Sequence, residues 1–187
     1  KKFMELLVID KIEDKNKIST NYISLITEKI NASVQFKLLC FGNKISAPSV
    51  IIKKEIINKL GGFDESIPLC EDWPFWLKAT KLGYKFHYLS TSCVNYRIHS
   101  CSTFSSTNSS KYLFPNFIEI EKKIFDKYIS LHCSETSKIF CKYKYFIKNI
   151  FIKFKMNTNI HFNKMIYKIL MLPYSCYEKW KINSLIN

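Results

Sequence analysis

Three short signals follow one another within residues 45–102. A Gly-Gly pair (Gly61, Gly62) ends ISAPSVIIKKEIINKLGGFDE, an acidic pair (Glu71, Asp72) opens CEDWPFWLKATKLGYKFHYLS, and an Arg-x-His (Arg97, His99) sits in VNYRIHSCS. The punctuation between them constrains the fold. Ser46–Ile52 reads as a short buried strand with Pro48 near its start, where a missing N–H matters least. Lys53–Leu60 reads as a helix stopped by Gly61-Gly62 in a left-handed cap. A second helix starts at Glu71-Asp72, with Pro74 tolerated in its first turn and Gly83 as its terminator. Tyr84–Leu89 alternates and is rich in aromatics, which predicts a strand, and Val94–Ile98 predicts another. The expected class is α/β.

Each signal carries chemistry and also has a plainer reading. Adjacent carboxylates at a helix start lie in the positive end of its dipole and stay ionised. Asp72 so placed can act as a general base towards a sugar hydroxyl, yet an isolated Glu-Asp is also an ordinary helix cap. Gly61-Gly62 is either a simple stop or a turn whose backbone lets a ligand approach closely. Arg97 and His99 alternate with Tyr96 and Ile98, so on a strand they share a face. Arginine offers a planar fork of donors suited to a diphosphate. Imidazole is a common ligand for a divalent metal, although a histidine near a strand end is often merely structural. Arg97 is the one arginine among 29 basic residues, which suggests a site whose geometry lysine cannot meet.

In this order and separation, GGFDE, EDW–FWLK, LGYKF and YRIH–S resemble the later half of the family 2 glycosyltransferases of GT-A, Rossmann-like fold. The resemblance covers roughly Asn43–Ser102. It implies Asp72 as the base that deprotonates the acceptor, with Glu71, Gly61, Gly62 and Trp73 on the acceptor and substrate side. It also implies Arg97 at the diphosphate, His99 at the metal, and Mg²⁺ or Mn²⁺ as cofactor. The partners would be a nucleotide-sugar donor and a saccharide or lipid-linked acceptor. The setting implied is bacterial surface-polysaccharide synthesis, in the cytoplasm or peripherally on the inner face of the plasma membrane. Such enzymes also resemble one another in an upstream nucleotide-binding half with an Asp-x-Asp motif. No Asp-x-Asp occurs here, and the first residue is Lys1. The chain is therefore expected either to begin partway through a longer protein or to pair with an upstream half on a separate chain.

Residues 1–35 are weakly patterned, apart from Tyr22, Ile23, Ile26 and Ile30, which share a helical face. The polar run 100–110 marks the expected boundary between a partial transferase domain, 1–108, and a helical extension, 109–187. The formal charge of +14 is concentrated in that extension: residues 1–110 hold 15 basic and 10 acidic side chains, residues 111–187 hold 14 and 5. Between Thr136 and Tyr177 there are eight lysines and no acid. Such a block suits an anionic partner, and it also fits a chain generally rich in Lys, Ile and Asn. The seven cysteines form no C-x-x-C pair, which argues against a disulfide framework or a structural zinc site.

On a helical wheel, Ser137–Lys155 places Ile139, Phe140, Tyr143, Phe146, Ile147, Ile150, Phe151 and Phe154 on one arc. The lysines 138, 142, 144, 148, 153 and 155 avoid it. A basic amphipathic helix of this kind can lie on an anionic membrane, or pack on its own domain with the lysines in water. Nucleic acid is not the favoured partner, because no recognised binding motif is present. The alternative to a transferase is a non-catalytic basic module that binds a membrane surface or nucleic acid.

Overall fold

The computed structural model describes residues 5–9, 30–45, 47–89, 115–153 and 160–186. The chain forms two compact units, Lys1–Ile98 with Leu185–Asn187, and His99–Ser184. The expected boundary at 108, the expected strand Val94–Ile98, and the face built on Tyr22, Ile23 and Ile26 lie outside the described residues.

The first unit is built on a small mixed sheet. Strand β1 (Glu5–Ile9) runs parallel to β3 (Lys85–Leu89), with Leu6 opposite Phe86. It runs antiparallel to β2 (Val50–Ile51), with Leu7 opposite Ile51, giving the order β2-β1-β3. Helix α1 (Ala32–Leu39) lies between β1 and β2 in the chain. Asn31 caps it: the side-chain oxygen accepts the Val34 N–H at 3.0 Å, satisfying one of the first-turn donors. Gln35 on α1 is almost fully buried and behaves as an extra strand. Its amide donates to Phe86 O and accepts from Phe86 N, both at 2.8 Å, so one side chain satisfies both backbone groups of that β3 residue.

The segment expected as a buried strand over Ser46–Ile52 is different. Ala47–Ser49 is a 3₁₀ turn, the strand is two residues long, and Ile51 is exposed. Proline explains the change: Pro48 has a helical φ and no N–H, so it suits a tight turn better than a ladder. Helix α2 (Lys54–Leu60) then ends at Gly61 in the left-handed conformation, φ 73°, with the Gly62 N–H bonded to Ile57 O at 3.0 Å.

Helix α3 (Asp72–Lys81) is the centre of the unit. Trp73, Phe75, Trp76, Leu77, Ala79 and Thr80 are all buried. Pro74 stands where the N–H would lack a helical partner in any case. Trp76 meets Phe86 edge-on at 5.4 Å and Phe75 at 5.5 Å, while Phe63 packs on Phe75 at 4.9 Å. Such pairs add roughly 0.5–1.5 kcal/mol beyond simple burial. Gly83, φ 89°, turns the chain from α3 into β3.

The second unit is helical. Helix α4 (Pro115–Ile124) continues through a wide turn, Phe125–Ile129, and a 3₁₀ turn, Ser130–His132. Helices α5 (Glu135–Lys153) and α6 (Ile160–Ile186) follow. They run side by side in opposite directions: Ser137 meets Tyr177 at 2.6 Å, and Tyr143 Oη donates to Leu170 O at 2.6 Å. Phe151 meets Tyr167 at 5.2 Å.

The apolar arc expected for α5 is buried only along one edge, at Ile147 and Phe151, and the buried face extends onto lysines expected in water. Ile139 and Phe146 are 64% and 62% exposed, whereas Lys144 and Lys148 are only 7% and 4% exposed. The cause is Glu121 on α4, itself buried, which forms an ion pair with Lys148 and lies 4.0 Å from Lys144. The Lys144 ammonium also sits over the rings of Tyr145 and Tyr174, at 5.0 and 5.3 Å. Among the described residues no helix is long and apolar enough to cross a membrane.

Candidate functional site

The site is built at the start of α3. Glu71 occupies the cap position with helical backbone angles, and its side chain makes no capping hydrogen bond. Two residues earlier Leu69 adopts φ 70°, a conformation that side chains other than glycine rarely take. That turn sets the approach of the acidic pair to the helix. Asp72 is half-buried at the first helical position.

The Asp72 carboxylate is held by Asn43, whose side-chain amide donates to Oδ2 at 3.0 Å. Asn43 is oriented in turn by its own backbone: Oδ1 accepts the Ile45 N–H at 3.1 Å, so the NH₂ end is left to face the acid. Burial raises the Asp72 pKa above its ordinary value. The Asn43 amide and the Trp73 backbone N–H oppose that rise by favouring the ionised form, and the Glu71 charge adds to it. Trp76 Nε1 is buried without a hydrogen-bond partner among the described residues, and it lies near enough to favour the ionised form slightly. The result is a carboxylate with neutral hydrogen-bond partners, no ion-paired lysine among the described residues, and a raised proton affinity.

Gly61 and Gly62 are tied to the same helix. Lys78, on α3, donates to Leu60 O at 3.2 Å and to Gly62 O at 3.0 Å. Both glycines have φ near 72°, and a Cβ at either would meet open space, so conformation and not crowding calls for glycine.

Trp73 does not belong with them. It is 3% exposed and its indole N–H donates to Leu39 O at 2.9 Å. It is therefore a second donor to a carbonyl at the end of α1 that also accepts the Gly42 N–H at 3.2 Å, and it has no free face for an acceptor. Arg97 and His99 lie outside the described residues, so Asp72, Glu71 and the glycine pair are the expected residues found around α3. Asn43, Lys78 and Trp76 are additions that the sequence does not signal. The Gly42-Asn43 dipeptide marks a turn, but nothing in it points to a partner 29 positions away.

No group of three or more His, Cys, Asp or Glu able to hold a metal occurs among the described residues. The described cysteines 40, 70, 133, 141 and 176 form no disulfide with one another. Burial pushes the Cys141 thiol up to about 11, so it stays protonated at neutral pH. Comparison with family models, curated proteins and solved structures gives no match.

Proposed function

We propose that the chain supplies the acceptor side of a GT-A-type glycosyltransferase, transferring a sugar from a nucleotide-sugar to an acceptor hydroxyl in polysaccharide or glycolipid synthesis. The observation that carries this reading is the state of Asp72. It is a half-buried carboxylate of raised pKa, aimed by a neutral amide and lacking a described cationic partner. A base of that kind retains proton affinity that an ion-paired carboxylate would lose.

On this reading Asp72 takes the hydroxyl proton as the acceptor oxygen attacks the anomeric carbon. The bond from that carbon to the diphosphate breaks on the opposite face, the diphosphate leaves with the electron pair, and the configuration inverts. Glu71, exposed and adjacent, accepts hydrogen bonds from neighbouring acceptor hydroxyls. The Gly61-Gly62 turn, pinned by Lys78, forms one wall beside α3. Arg97, His99 and a divalent cation are what the resemblance implies for the diphosphate side. The setting is the cytoplasm, where nucleotide-sugars are supplied.

The test is transfer from a panel of nucleotide-sugars to saccharide and lipid-linked acceptors by the full-length protein, with and without Asp72→Asn. Loss of a general base lowers kcat about a hundredfold or more, with donor binding unchanged. Near-normal turnover of the variant would leave Asp72 a structural residue and remove the proposal.

A further inference from the structure

We infer that the α5–α6 pair is an interfacial docking surface for an anionic lipid membrane, with α6 and not the α5 arc as its main contact. The observation is a row of exposed apolar side chains on the outer side of α6: Met165, Ile169, Leu172 and Trp180. Their spacing of three, four or eight residues puts them on one stripe, about 22 Å long at 1.5 Å per residue. Ile139 and Phe146, exposed on α5, recur seven residues apart and form a second row. The rings between the helices connect the two: Trp180 lies 6.0 Å from Tyr177, which stacks on Phe140 at 4.1 Å. Contiguous exposed apolar surface of this kind marks an interaction site.

Charge selects the occupant. Lys168 and Lys179 flank the α6 stripe and Lys142 flanks the α5 row, all three exposed. The stripe from Met165 to Leu172 lies wholly within the acid-free stretch 137–176. Glu178 falls on the opposite side of α6, beside the buried Tyr174 and Tyr177. Apolar side chains rimmed by lysine, with a tryptophan at one end, match an interface of anionic headgroups over acyl chains. Since no described helix can span a bilayer, the pair lies on the surface. This inference does not rest on the reading of Asp72, and it is measured without any sugar substrate.

The experiment uses the intact chain with vesicles of phosphatidylcholine alone or mixed with phosphatidylglycerol, carrying brominated acyl chains. Trp73 and Trp76 are buried, so of the three tryptophans only Trp180, 62% exposed, is open to quenching by lipid. Quenching is expected with the anionic vesicles. Partitioning should weaken at least tenfold without the anionic lipid, and again as salt shortens the Debye length from about 30 Å at 0.01 M to about 8 Å at 0.15 M. Ile169→Glu and Leu172→Glu, at exposed positions and with unchanged helical signal, should each weaken it tenfold or more. Equal binding to neutral vesicles, no effect of either glutamate, or no binding at low salt would overturn the inference. So would shielding of Trp180 that grows with protein concentration in the absence of lipid, which would assign the stripe to a second copy of the chain.

Discussion

Asp72 in the first unit and Glu121 in the second are both withdrawn from water, yet their surroundings are opposite. Glu121 is buried between two lysines of α5, one in direct ion pair and the other at 4.0 Å, and its backbone oxygen accepts from the Tyr145 hydroxyl at 3.2 Å. Asp72 has an asparagine amide, a backbone N–H and a like-charged neighbour. The difference separates two uses of a carboxylate. Glu121 neutralises cations that would otherwise be stranded in the helical unit. Asp72 is left able to accept a proton, which a structural carboxylate has no need to do.

The largest expected effect breaks the Glu121 side of this contrast. Glu121→Gln leaves two buried lysines without a counter-charge and should destabilise the helical unit by about 3–5 kcal/mol, read by urea unfolding of the helical signal. Adding Lys148→Met should recover much of that loss, because a buried charge is then replaced by an apolar side chain of similar length. No recovery would mean that Lys148 contributes something other than charge.

A pH series sharpens the same point. Burial lowers the Lys148 pKa below 10.5; the Glu121 charge opposes the fall, and the Lys144 charge adds to it to a lesser degree. A group whose folded pKa is depressed contributes stability present above its unfolded pKa and lost as pH falls through the folded value. Removing Glu121 deepens the depression. The Glu121→Gln variant should therefore lie closest to the natural protein near pH 10 and furthest from it near pH 7. A deficit independent of pH would break the assignment.

Smaller changes belong to the first unit. Gly61→Ala and Gly62→Ala should each cost about 1 kcal/mol from left-handed strain alone, since neither added methyl meets a neighbour. Least of all should be the stability change in Asp72→Asn. The raised pKa of Asp72 gives a contribution that is full below 3.8 and lost as pH rises through the folded value, so at neutral pH the ionised group weakens the fold. The neutral amide should leave the unfolding midpoint unchanged or slightly raised, with solvent screening of a partly exposed group keeping the gain well under 1 kcal/mol. A clear loss would place Asp72 with Glu121 as a structural acid.

How much of this is legible in the sequence depends on whether the determinants are local. The stop at Gly61, the start of α3 at Asp72 and the turn at Gly83 follow from backbone chemistry within a few residues, and they stand where the pattern puts them. Helix α1 is hidden because its cap, Asn31, lies in a weakly patterned stretch and its buried Gln35 looks like a surface residue. Its partner, the Phe86 backbone, is 51 positions away. The α5 wheel catches Ile147 and Phe151 but misses Lys144 and Lys148 for the same reason: it counts every lysine as solvated, and Glu121 lies 27 positions from Lys148. In the site, the acidic pair is visible as a motif, whereas Asn43, which aims it, carries no local mark. The resemblance sets Trp73 on the substrate side, but its indole N–H is used by Leu39 O, 34 positions away.

The most direct measurement on Asp72 is the acid limb of kcat/KM in the full-length protein, compared with Asn43→Ala. If Asp72 is the base proposed above, its ionised form is the active one, and the natural protein should lose activity as pH falls through a value above 3.8. The Asn43 amide favours that ionised form, so its removal should move the limb to higher pH. An acid limb at the same pH in both proteins would contradict the account, because the base would then not be the carboxylate that Asn43 holds.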